Sequence, residues 1–143
     1  MKTGDIKRVA QRAEIGARDA GRPAGWDILL IEDEPEMRRL LAAFLGRAGY
    51  RAMALARASE AFRRMQEGFR PDLLVTDLAL PDLSGLALLQ DARALYPDLP
   101  ALLITGYDVA AGSDVPPGTR VLLKPFSRAA FMAQVSALIA GRA

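Results

Sequence analysis

Four short apolar runs in this chain each end on a polar residue that can handle a phosphoryl group. Residues 28–31 lead into Glu32 and Asp33, residues 73–76 into Asp77, residues 101–104 into Thr105, and residues 121–123 into Lys124. Three carboxylates gathered at one point repel each other, and a divalent cation relieves that repulsion. Mg²⁺ suits such a set, because it takes oxygen ligands, keeps several waters and shares itself with a phosphate. An ammonium group beside Asp77 can pair with the bare carboxylate and later with phosphate oxygens, and a hydroxyl can donate to the same oxygens. Taken singly, each residue has a plainer reading. Glu32 and Asp33 can cap a strand or helix, Lys124 can lie along the surface with its charge in water, and Thr105 can be a satisfied edge hydroxyl. Asp77 is harder to dismiss. It stands between an apolar run and Leu78-Ala79-Leu80-Pro81, and an acid in such surroundings needs a partner.

The elements that must position these residues follow from periodicity. Runs that are apolar on both faces read as strands of a covered parallel sheet. Strands are expected over residues 27–31, 50–55, 72–76, 101–105 and 120–123. Between the first two, Pro35 opens a helix with Met37, Leu40, Leu41, Phe44 and Ala48 inward, stopped by Gly49. Ser59 is the expected cap of a short helix carrying Phe62 and Met65 and ending at Gly68. Leu86, Leu89, Ala92, Leu95 and Tyr96 mark a third helix before Pro97. Ser127 caps a last one with Phe131, Val135, Leu138 and Ile139 inward. Strand alternating with helix implies right-handed crossovers. The expected fold is α/β, a five-stranded parallel doubly wound sheet of flavodoxin type, order 2-1-3-4-5, with helices on both faces. In such sheets ligands bind outside the carboxyl ends of the strands, where all the polar tips lie.

Composition removes several alternatives. The 143 residues are 51% hydrophobic and suit one globular domain. Cysteine and histidine are both absent, so thiol nucleophiles, thiolate metal sites, typical zinc sites and a phospho-histidine carrier role are excluded. Net charge is +2, which gives no strong pull toward nucleic acid or membrane. The charge is uneven: residues 1–25 carry a net +3 and the rest −1. With Gly4, Gly16, Gly21, Pro23 and Gly25, residues 1–25 are expected to be a flexible basic tail ahead of a domain over 26–143. No apolar stretch approaches a membrane span and no apolar signal core is present, so a cytoplasmic location is expected.

Residues 26–140 resemble a response-regulator receiver domain of two-component signalling, either a single-domain receiver or one of the hybrid-kinase type. The resemblance rests on Ile31-Glu32-Asp33-Glu34, Thr76-Asp77-Leu78-Ala79-Leu80-Pro81-Asp82-Leu83-Ser84-Gly85, Ile104-Thr105-Gly106 and Leu123-Lys124-Pro125-Phe126. It implies that Asp77 accepts the phosphoryl group. It implies that Glu32, Asp33, Asp77 and the backbone carbonyl of Ala79 ligate Mg²⁺ or Mn²⁺, with Glu32 acting directly or through water. Lys124 would bind the phosphoryl group and Thr105 would turn toward it, with the Lys124–Pro125 bond cis. The implied partner is a histidine kinase or histidine phosphotransfer protein, with a further downstream protein, and no direct binding of nucleic acid or membrane. Such a domain is not an enzyme beyond accelerating its own phosphorylation and dephosphorylation. The alternative is a receiver-like interaction module that is never phosphorylated. A flavin protein or a haloacid-dehalogenase-type phosphatase on the same fold is disfavoured. Position 79 is Ala rather than a second Asp, and no Ser/Thr/Gly-rich loop follows the first strand.

The chain departs from the family pattern between Thr105 and Lys124, where only eighteen residues intervene. Pro116 and Pro117 cannot lie inside a helix, so the helix expected there should be short or irregular. Val121 stands at the family's aromatic switch position, and Tyr107 is a possible substitute. The surface that usually signals is therefore expected to be altered, and the protein to be a monomer or weak dimer.

Overall fold

The computed structural model describes residues 25–106 and 115–142. Its elements are β1 (Asp27–Ile31), α1 (Pro35–Arg47), β2 (Arg51–Leu55), α2 (Ala58–Gln66), β3 (Leu73–Asp77), α3 (Gly85–Leu95), β4 (Ala101–Thr105), β5 (Thr119–Leu123) and α4 (Arg128–Arg142). The five strands form one sheet in the order β2-β1-β3-β4-β5, and every neighbouring pair is parallel. This is the doubly wound order expected from the alternation of strand and helix.

Two cores flank the sheet, because successive strand residues point to opposite faces. Ile28, Leu30, Leu73, Val75, Leu102 and Ile104 meet Leu41 and Leu45 of α1 and Phe131, Val135, Leu138 and Ile139 of α4. Leu29, Ile31, Leu74 and Ala101 meet Ala58, Ala61 and Met65 of α2 and Leu88, Leu89 and Ala92 of α3. β1 and β3 are central and apolar on both faces, which holds their polar ends in fixed places.

Several local expectations are met. Pro35 opens α1, Ser127 Oγ accepts from the Ala130 N–H at 3.0 Å, and Gly49 follows α1 with φ 94°. Others are corrected. Ser59 does not cap α2. The N-cap is Arg57, whose side chain makes no capping bond, and the Asp82 carboxylate takes the Ala58 and Ser59 N–H groups from another loop. Leu40 is 47% exposed, because the buried stripe of α1 runs through Leu41 and Leu45. Leu95 is likewise exposed and Leu88 is buried in its place. β3 extends one residue further than expected and includes Asp77.

Residues 115–118 leading into β5 are not helical. The irregular helix expected after β4, and Tyr107 with it, fall on residues 107–114, outside the described residues. The basic tail does too, but for Gly25.

Candidate functional site

The site is assembled at the C-terminal edge of the sheet. β1 ends at Ile31, and the next residue, Glu32, is 1% exposed. Its Oε2 accepts the Glu34 N–H at 3.0 Å, while the Glu34 side chain caps α1 by accepting from the Met37 N–H. Asp33 is exposed beside it. Asp77 closes β3 and is 5% exposed. One oxygen from each of Glu32, Asp33 and Asp77 falls within 4.8 Å of the others. The expected cluster of three acids therefore forms.

Lys124 follows β5 and faces the same point. Its Nζ lies 3.3 Å from Asp77 Oδ1 and 3.4 Å from Oδ2. The lysine is held from both sides. Its N–H donates to the Thr105 carbonyl at 2.8 Å. Two residues later Phe126 stacks on buried Phe131 of α4, with centroids 5.9 Å apart and planes 22° apart. The Lys124–Pro125 bond is cis. Thr105 ends β4 and is 4% exposed, one residue beyond the Ile104 that pairs with Asp77 in the sheet. Ala79 lies exposed in the bend after β3.

The electrostatics of the cluster are those of a site short of positive charge. Burial pushes the Glu32 carboxyl up to about 7, the Glu34 N–H pulls it back, and the Asp77 charge raises it again. Burial also raises the Asp77 carboxyl above its ordinary value, against the pull of Lys124. Glu32 Oε1 is buried and accepts no hydrogen bond, and buried Asp77 Oδ1 has only the ion pair with Lys124 at 3.3 Å. Buried carboxylate oxygens are costly unless paired. Clustered hard oxygen donors with unsatisfied lone pairs fit Mg²⁺.

One residue near this edge had no role in the sequence reading, while Gly85 was expected to shape the loop after Asp77. Arg38, on the first turn of α1, donates from Nη1 to the Glu32 carbonyl at 2.9 Å and reaches 3.5 Å from the Asp33 carbonyl. It stands six residues past Glu32, in the helix that Pro35 opens and Glu34 caps. Gly85, the first residue of α3, packs directly on the Asp77 carbonyl, and a Cβ there would collide with it.

A family model for the response regulator receiver domain matches residues 28–136. The response regulator receiver protein CpdR of Brucella abortus (strain 2308) is 40% identical over 103 residues, covering 69% of this chain and 84% of that protein. Other curated relatives are longer, and this chain spans about half of them or less. Among solved structures, a response regulator receiver protein from Sinorhizobium medicae WSM419 superimposes with a TM-score of 0.76 at 28% identity, covering 83% of this chain and 98% of that one. The receiver domain of the sensor histidine kinase PA1611 from Pseudomonas aeruginosa PAO1 holds a magnesium ion in its active site cleft. It superimposes with a TM-score of 0.69 at 28% identity, covering 82% of this chain and 99% of that one.

Proposed function

The chain belongs to the response regulator receiver domain family, and from that premise we propose that Asp77 is the carboxylate that accepts its phosphoryl group. The observation that carries this is the placing of Asp77 at the end of a central strand, with a lysine Nζ at 3.3 Å and two further carboxylates within 4.8 Å. A receiver is a phosphoryl-accepting signalling module. The donor is a phospho-histidine on a histidine kinase or phosphotransfer protein. An Asp77 oxygen forms the new O–P bond as the N–P bond of the donor breaks, and the freed imidazole nitrogen takes a proton. Lys124 already holds both Asp77 oxygens, and it follows the charge onto the phosphoryl oxygens as they arrive. Thr105, fixed to Lys124 through the main chain, supplies the hydroxyl that turns to the new dianion.

Glu32, Asp33, Asp77 and the Ala79 carbonyl would hold Mg²⁺ or Mn²⁺, which when bound neutralises charge on the transferring oxygens. Arg38 keeps the two acids in place from behind. The domain accelerates its own phosphorylation and dephosphorylation and no other reaction. It works in the cytoplasm, where its kinase presents the phospho-histidine. No described helix is long and apolar enough to cross a membrane. An unphosphorylated interaction module would gain nothing from burying Glu32 and Asp77 together at this edge, and that reading is not favoured.

Intact-mass measurement tests the proposal. The full chain is incubated with Mg²⁺ and acetyl phosphate as wild type and as Asp77→Asn. Wild type is expected to gain one phosphoryl group, Asp77→Asn none, and chelation of the cation to abolish the gain. Equal labelling of both proteins would remove Asp77 from its role. Labelling of neither would restore the interaction-module reading.

A further inference from the structure

The phosphoryl-accepting site leaves Asp82 without a task. This acid is exposed in the loop between β3 and α3, five residues past Asp77. Its Oδ2 accepts the Ser59 N–H at 2.9 Å and its Oδ1 the Ala58 N–H at 3.2 Å. These are first-turn donors of α2, which helices ordinarily satisfy with a local side chain. Arg57 at the N-cap provides none, so the need is met from a loop 23 residues further along the chain.

The same bonds act on the loop. At its near end, the Leu78 N–H donates to the Ile104 carbonyl and the Leu78 carbonyl accepts from the Gly85 N–H, both at 2.7 Å. Asp82 is the far anchor. Residues 79–81 span the gap, with Leu80 partly buried against the α2–α3 core. Ala79 sits in that span and has no polar side chain to direct its own carbonyl. A carbonyl's direction is set by the peptides on either side, and here these hang between Leu78 and Asp82.

We infer that Asp82 is a positioning residue for the cation site: by clamping the α2 amides it holds the β3–α3 loop in the shape that presents the Ala79 carbonyl. The inference rests on the cation reading of Glu32, Asp33 and Asp77 given above. It separates two consequences of the same two hydrogen bonds, the capping of α2 and the anchoring of the loop.

A pair of variants separates them as well. Asp82→Ala removes both. Adding Arg57→Ser gives α2 a local cap, since position 57 has the extended backbone of an N-cap (φ −132°, ψ 145°). Glu60 stands three residues on, completing a capping box. Mg²⁺ affinity is measured by calorimetry on the full chain, alongside melting of the metal-free protein. Asp82→Ala is expected to bind Mg²⁺ about tenfold more weakly, the low end for residues that orient metal ligands. The double variant is expected to regain melting temperature but not affinity. Affinity of Asp82→Ala within about twofold of wild type would overturn the inference, as would a double variant that regains affinity together with stability. If Asp82→Ala does not fold, the double variant decides alone. Absence of saturable binding by wild type would instead overturn the cation reading, and the inference would fall with it.

Discussion

Glu32 is almost fully buried and its carboxyl holds a proton up to about pH 7, because burial disfavours the charged form and Asp77 adds a like charge. The unfolded chain releases that proton near the ordinary value of 4.5. Between those values the folded state binds more protons than the unfolded one, so the contribution of Glu32 to stability is fully present below 4.5 and is lost as pH rises through about 7. Asp77, also raised, acts in the same direction. A cation competes with the proton. Mg²⁺ is therefore expected to raise the melting temperature little near pH 5 and clearly near pH 8. Glu32→Gln should flatten the metal-free pH dependence and weaken Mg²⁺ binding in the same protein. Thermal melts across this range, with and without Mg²⁺, check both statements. Metal-free stability that climbs steadily over the window would contradict them.

At the scale of elements, the contact between β3 and α3 constrains the site closely. A Cβ at Gly85 would meet the Asp77 carbonyl oxygen. Gly85→Ala gains helix propensity worth up to about 1 kcal/mol, less in a first turn. Displacing α3 or the Asp77 peptide costs more, so a net loss of about 2 kcal/mol is expected in chemical denaturation, together with weaker phosphoryl labelling. A variant as stable as wild type would show that the junction yields freely. The strands and their polar tips were legible because each signal is local: a run of three or four mostly apolar residues, then one that cannot be buried alone. The last helix was legible for the same reason, since Ser127 caps it and Phe131, Val135, Leu138 and Ile139 all face inward. The cap of α2 was not. Ser59 is a familiar local capping residue, but the acceptor that wins is Asp82, brought near only once β3 is folded. Arg38 was missed because its partners are backbone carbonyls, which carry no residue-type signal. Leu40 was misassigned because adjacent leucines in α1 leave the phase of the stripe open until both faces of the sheet are covered.

Across the whole molecule, the strand order puts β1 and β3 side by side at the centre, with β4 and β5 beyond. That order gathers Glu32, Asp77, Thr105 and Lys124 from four strand ends spread through the sequence, as doubly wound sheets do where strand order reverses. The family and the acidic cluster were readable from the motifs at those ends, and the sheet order from the alternation of strand and helix. The segment between β4 and β5 departs from the family pattern in length and in its two prolines. Phosphorylation is therefore expected to leave the protein a monomer or weak dimer in size-exclusion chromatography, and a strong phosphate-dependent dimer would contradict this. The central claim is that the phosphoryl group goes to Asp77. Borohydride reduces an aspartyl phosphate to homoserine, so reduction of the labelled full chain followed by peptide mass mapping reads the modified position directly. Homoserine at position 77 alone is the predicted result; modification at another acid, with Asp77 intact, would contradict the account.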